Sequence, residues 1–186
     1  MARVQTNRII EGTSGVIGRT LVVKRIKGGQ LILAAKPTFR EDRVFTPAQI
    51  AQQERFRAGI AYAKLAAQRE PIYAQRAEGT PRTAFNVALA DFLHPPVIVQ
   101  VDLTGYTGKQ GESIRAEVRD DVCVRKVSVS IVAADDRLIE QGEATPGEGL
   151  WWNYTTTANA VGEEVEGVVR AWDLPGNEVV KKVQKS

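Results

Sequence analysis

From Val97 onward, apolar residues recur at every second position, and this limits the fold more than any other feature of the chain. The alternation is clean in Ile114/Ala116/Val118, in Val127/Val129/Ile131 and in Val165/Gly167/Val169/Ala171. A period of two gives each strand one apolar face, which must be buried against a second layer. Strands are expected at 97–103, 113–118, 125–132, 137–143, 150–156, 165–172 and 178–183. Thr107-Gly108, Ala134-Asp135-Asp136, Pro146-Gly147, Val161-Gly162 and Leu174-Pro175-Gly176-Asn177 supply the turns between them. With no helical segment among them, such strands predict an antiparallel β-sandwich.

Upstream of Pro95-Pro96 the period lengthens. Thr46-Pro47-Ala48-Gln49 carries a hydroxyl cap, proline at the first helical position and glutamine three residues after the cap. The spacing of Phe56, Ile60, Ala63 and Ala67 predicts a helix to about Glu70, where Pro71 stops it. Thr80-Pro81-Arg82-Thr83 repeats the cap signal ahead of Phe85, Ala88, Leu89 and Phe92, with a helical turn expected at 72–77. Nearer the N-terminus, 20–27 and 30–35 flank Gly28-Gly29, a β-hairpin signal, and Gly12, Gly15 and Gly18 predict a turn ahead of it. The expected class is α+β: an N-terminal β-hairpin and helical pair followed by a seven-stranded immunoglobulin-type sandwich. The hairpin arm and linker span 1–45, the helical hairpin 46–94 and the sandwich 97–186.

The reactive chemistry is sparse. The 186 residues include one cysteine and one histidine, which excludes an intramolecular disulfide and a Cys/His zinc cage. His94, in Leu93-His94-Pro95-Pro96, is placed to cap a helix C-terminus, and Cys123 between Val122 and Val124 reads as a small buried apolar residue. No spacing among the 22 Asp and Glu singles out a catalytic pair, so neither an enzyme nor a cofactor is expected. The glycines at 12, 15 and 18 lack the spacing of a phosphate-binding loop. No apolar run approaches the ~20 residues of a membrane-spanning helix. Residues 1–12 lack the apolar core of a secretory signal, so synthesis in the cytoplasm is expected.

Charge divides unevenly. Residues 1–94 hold 15 Lys/Arg against 7 Asp/Glu, a net of +8, and residues 95–186 hold 10 against 15, a net of −5. Arg19, Lys24, Arg25, Lys27, Lys36, Arg40 and Arg43 form a basic stretch. Only Phe39 and Phe45 lie near enough to stack on bases, so nucleic acid is not an expected partner. A basic half meeting the acidic half of another copy is the favoured use of this asymmetry.

Ala171-Trp172-Asp173-Leu174-Pro175-Gly176-Asn177 resembles the A-x-D-x-x-G-N ending of bacterial Ig-like and fibronectin-III-like modules, and Tyr106 to Glu112 is similar to their early turn. The resemblance spans roughly the last ninety residues and implies a fold, with no function attached. The N-terminal half resembles short uncharacterised bacterial proteins through Ser14-Gly15-Val16-Ile17-Gly18, Lys36-Pro37 and the Gln- and Arg-rich 49–56.

Three sets of residues are candidates for function. Leu21, Val23, Ile26, Leu31 and Leu33 in the arm are expected to pair with a neighbour's sheet, with Arg19, Lys24, Arg25 and Lys27 meeting Glu163, Glu164 and Glu166. Trp151, Trp152 and Tyr154 share one strand, Trp151 facing opposite to the other two, and an outward ring would suit a glycan or protein. Asp120, Asp121, Asp135, Asp136 and Asp173 sit in turns and are weak Ca²⁺ candidates without a ligand-loop spacing. The expected function is a non-enzymatic structural subunit that self-assembles into a phage-like particle component, filament or surface layer. A recognition module is the alternative, and a homo-oligomer or polymer is the expected state.

Overall fold

The computed structural model describes residues 2–4, 13–26, 29–38 and 44–184. The chain divides into two compact units, residues 1–87 and 88–186.

In the first unit, β1 (Ala2–Val4), β2 (Gly15–Ile17), β3 (Leu21–Arg25) and β4 (Leu31–Ala35) form an antiparallel sheet in the order β1-β4-β3-β2. The expected hairpin is β3–β4, paired from Leu21↔Ala35 to Arg25↔Leu31. Ile26 N–H donates to the Gln30 carbonyl at 3.0 Å, and Gly29 takes a φ of 77° that a side chain would resist. The segment around Gly15, expected as a turn, is instead the strand β2, because Gly18 at φ 62° makes the reversal into β3. This changes the hairpin's status. β3 lies between β2 and β4, and β4 between β3 and β1, so the expectation of an open hairpin edge is corrected: the sheet's edges are β1 and β2.

Three helices follow: α1 (Pro47–Arg69), α2 (Pro71–Ala77) and α3 (Ala84–Leu93). The capping box forms as expected, Gln49 N–H donating to Thr46 Oγ1 at 3.3 Å and Thr46 N–H to Gln49 Oε1 at 3.0 Å. The start of α3 differs from the sequence reading. Thr80 donates to the Ala77 carbonyl and accepts from Arg82 N–H, closing the preceding turn, and Thr83 accepts Asn86 N–H as the cap. The helices bury small residues, Gly59, Ala63 and Ala66 on α1, around one large side chain, Tyr73, whose hydroxyl lies 2.7 Å from that of Tyr62.

The second unit contains β5 (Val97–Asp102), β6 (Ser113–Arg119), β7 (Val124–Ala133), β8 (Leu138–Glu143), β9 (Thr145–Pro146), β10 (Trp151–Thr155), β11 (Val165–Asp173) and β12 (Glu178–Gln184). They form two four-stranded antiparallel sheets, β5-β6-β10-β9 and β12-β11-β7-β8. Each strand expected from the alternation is present, and the two-residue β9 is additional. Ile98, Ile114, Ala116 and Val118 from the first sheet join Val127, Val129, Ile131, Val169 and Ala171 from the second in one buried cluster with Tyr106 and Tyr154. Each such aliphatic side chain larger than alanine contributes about 1.5–3 kcal/mol on leaving water. The chain is thus an α+β protein carrying sandwich-like sheets.

Candidate functional site

The arm residues do not share one environment. Val23 is buried at 1% exposure, while Ile26, Leu31 and Leu33 are half-buried and Leu21 is 38% exposed. The neighbouring β2, which the sequence reading left out, exposes Val16 at 56% and Ile17 at 43%. Arg19, Lys24 and Arg25 are exposed; Lys27, Arg40 and Arg43 lie outside the described residues. Among the acidic positions, Glu163 accepts from Arg137 at 2.6 Å and Glu166 pairs with Lys182 at 2.9 Å. Those contacts occupy both carboxylates within their own unit. Glu164 lines a shallow depression of about 280 Å³ together with Ala134, Val165, Glu166 and Gln184.

The aspartates divide by geometry. Asp120 and Asp173 meet Asp91, with carboxylate oxygens from all three within 4.8 Å of one another. Asp91 carried no sequence signal, since it reads as an ordinary acid on a helix. The other candidates lie elsewhere: Asp121 is exposed and 3.2 Å from His94 Nδ1, and Asp135 accepts Arg137 N–H in the β7–β8 turn beside Asp136. Burial pushes the Asp120 carboxyl above its ordinary range, with backbone donors from Val122 and Cys123 opposing the shift and Asp173 adding to it.

Much of this cluster has a structural task. Asp173 Oδ1 accepts Gly176 N–H at 2.9 Å and Asn177 N–H at 2.6 Å, and Oδ2 accepts the Asn177 amide at 2.7 Å. That amide also reaches the carbonyls of Asp91 and Phe92 at 3.3 and 3.2 Å. Those carbonyls belong to the last turn of α3, where His94 N–H also donates to the Asp91 carbonyl at 3.3 Å. The Asp-x-x-Gly-Asn ending therefore fastens the C-terminal half of α3 to the sandwich. The division between units accordingly falls inside α3, at Val87/Ala88, ahead of Pro95-Pro96.

The aromatic strand is arranged as its alternation predicts. Trp152 pairs with Ala116 and packs on the core, Tyr154 pairs with Ile114 and is buried, and Trp151 pairs with Glu117 on the outer face. The outward ring is not a bare platform. Arg115 lies 5.1 Å from its centroid and is held there by Asp102. Inside, the Tyr154 hydroxyl donates to Glu140 at 3.0 Å, and burial together with that carboxylate pushes its pKa up to about 12. Glu140 also accepts the Thr157 N–H and hydroxyl, a network the sequence reading missed because its members span three segments.

No protein-family model matches this chain, and no curated protein matches it in sequence. Among solved structures, the chain is similar to CopC from Methylosinus trichosporium OB3b, at 16% identity and a TM-score of 0.37. The match covers 49% of this chain and 90% of that one.

Proposed function

We propose that this chain is a non-enzymatic structural subunit that assembles with copies of itself through its N-terminal sheet, as part of a phage-like particle, a filament or a surface layer. One observation carries the reading: among the described residues of the first unit, several large apolar side chains stand exposed, Val16, Ile17 and Leu21 of the sheet among them. Its described core consists of Val23, Ala63, Ala66, Tyr73, Ala77 and Val87, while Val16, Ile17, Leu21, Ile50, Phe56 and Leu65 are each at least 38% exposed. Apolar surface of that kind gains free energy when a partner covers it. The second unit serves as the folded body. Its strand order, with β5-β6-β10-β9 in one sheet and β12-β11-β7-β8 in the other, supports an immunoglobulin-like arrangement.

Light scattering coupled to size exclusion, with negative-stain microscopy, tests the proposal on the full chain. A mass well above 20.4 kDa is expected. Deleting residues 1–36 is expected to leave a monomer. A full chain that stays monomeric at high concentration would overturn the reading, and so would a deletion that assembles as before.

A further inference from the structure

We infer that the outer edge of β2 pairs with the β2 of a second copy about a twofold axis, an inference that rests on the self-assembly reading. An open strand edge offers a row of N–H and C=O groups that another strand satisfies best, and proteins block such edges with charge, proline, bulges or covering groups. Every other edge of the described sheets carries one of these devices. On β5, the Lys181 amine donates to the Ile98 and Val99 carbonyls, and a register irregularity follows Ile98. On β9, the strand is two residues long and contains Pro146. On β8 stand Glu140 and Glu143, with a register irregularity between Leu138 and Glu140. On β12 stand Glu178, Lys181 and Lys182, and β1 contains Arg3.

β2 has none. Gly15-Val16-Ile17 holds no charge and no proline, its pairing with β3 runs in regular register, and β3 is its one strand neighbour among the described residues. Its side chains are exposed, and Leu21, paired with Ile17, extends the apolar patch.

Among the described residues, the guarded edges leave the β2 of a second copy as the strand to pair with. Antiparallel pairing centred on Val16 sets Val16 against Val16, and Gly15 against Ile17, in an isologous contact. That register also places the two copies of Arg19 at opposite ends of the new ladder, so the nearest cations are kept apart.

Self-pairing at position 16 has a specific test. Val16→Lys and Val16→Glu are each prepared in the full chain and measured by light scattering alone and after equimolar mixing. Each variant alone brings like charges face to face, so its mass is expected to fall at least about twofold. Mixing is expected to restore the parent mass, since a twofold contact sets Lys against Glu; misfolded chains would not recover in this way. Unchanged masses in both variants overturn the β2 inference and leave self-assembly standing. Variants that dissociate without recovery on mixing overturn the twofold pairing and favour a head-to-tail contact with another segment. A parent chain that is itself monomeric overturns self-assembly, and this inference with it.

Discussion

The two units use their apolar residues in opposite ways. In the sandwich, Val127, Val129, Ile131 and Val169 are at most 1% exposed, and both sheets contribute to one cluster. In the first unit the helices approach through glycine and alanine, a single tyrosine fills the contact, and the sheet of the same unit leaves Val16 and Ile17 open. Small residues bring backbones close but remove little apolar area from water, so the stabilisation per residue is low. The difference teaches where the chain is finished by itself and where another surface completes it. It also extends to strand edges: those of the second unit carry charge, proline or bulges, and among the described residues β2 carries none of these.

The largest effect that bears on this contrast is expected from Tyr73→Ala. With so few large side chains in that core, losing the ring should cost about 4 kcal/mol and melt α1 and α2. Circular dichroism at 222 nm would show the helical loss, while the sandwich transition in a denaturant titration should keep its midpoint. Equal movement of both transitions would end the picture of two separate cores.

Ile131→Ala comes next, at about 3 kcal/mol on the sandwich transition alone. A cost well below that would mean the sandwich core relaxes around a cavity and is less tightly packed than its burial implies. Asn177→Ala should cost about 1 to 2 kcal/mol, because the side-chain amide that ties the Asp91 and Phe92 carbonyls to Asp173 is lost. Amide exchange should then quicken at the end of α3 before it changes in β7 or β11. If exchange rises evenly, Asn177 is not the fastening point.

Titration gives the smallest effects, of one sign at Asp102 and Glu112 and the opposite sign at Asp120. Asp102 is held at about 2, chiefly by the Thr104 hydroxyl and N–H and by Arg115, and Glu112 at about 2, chiefly by the Thr107 hydroxyl and by backbone N–H groups. Both are depressed below their ordinary values of 3.8 and 4.5, so their contribution is present above those values and is lost as pH falls toward 2. Asp120 is raised by burial, so its contribution is lost as pH rises above 3.8, through its folded value. Asp120→Asn, which keeps an acceptor for Val122 and Cys123, should therefore slightly stabilise the chain at neutral pH. Melting temperatures at pH 7 and pH 4 check this: the gain should shrink at the lower pH, and a loss at pH 7 would contradict the assigned cause.

The sandwich strands and the start of α1 could be read from sequence because their signals are local. Alternation at 127, 129 and 131 marks a face whatever that face meets, and Thr46 and Gln49 satisfy each other's backbone within one turn. β2 was not legible, since Gly15 and Gly18 look like a turn until β3 supplies hydrogen-bond partners. The aspartates show the same limit: turn chemistry marked Asp120 and Asp173, but nothing near Asp91 in the chain foretells a carboxylate at position 173 beside it.

The sequence alone determined which residues turn inward on the strands after Val97, where the long helix begins, and that one cysteine and one histidine make neither an intramolecular disulfide nor a Cys/His zinc cage. Those properties depend on neighbours a few positions apart, so the chain carries them in its spacing. Only the tertiary structure decided which strands became edges, which acids came together and that Asn177 holds the end of α3. Each of these joins segments far apart in sequence, and their meeting is set by how two sheets and a helix end pack, which no local period encodes.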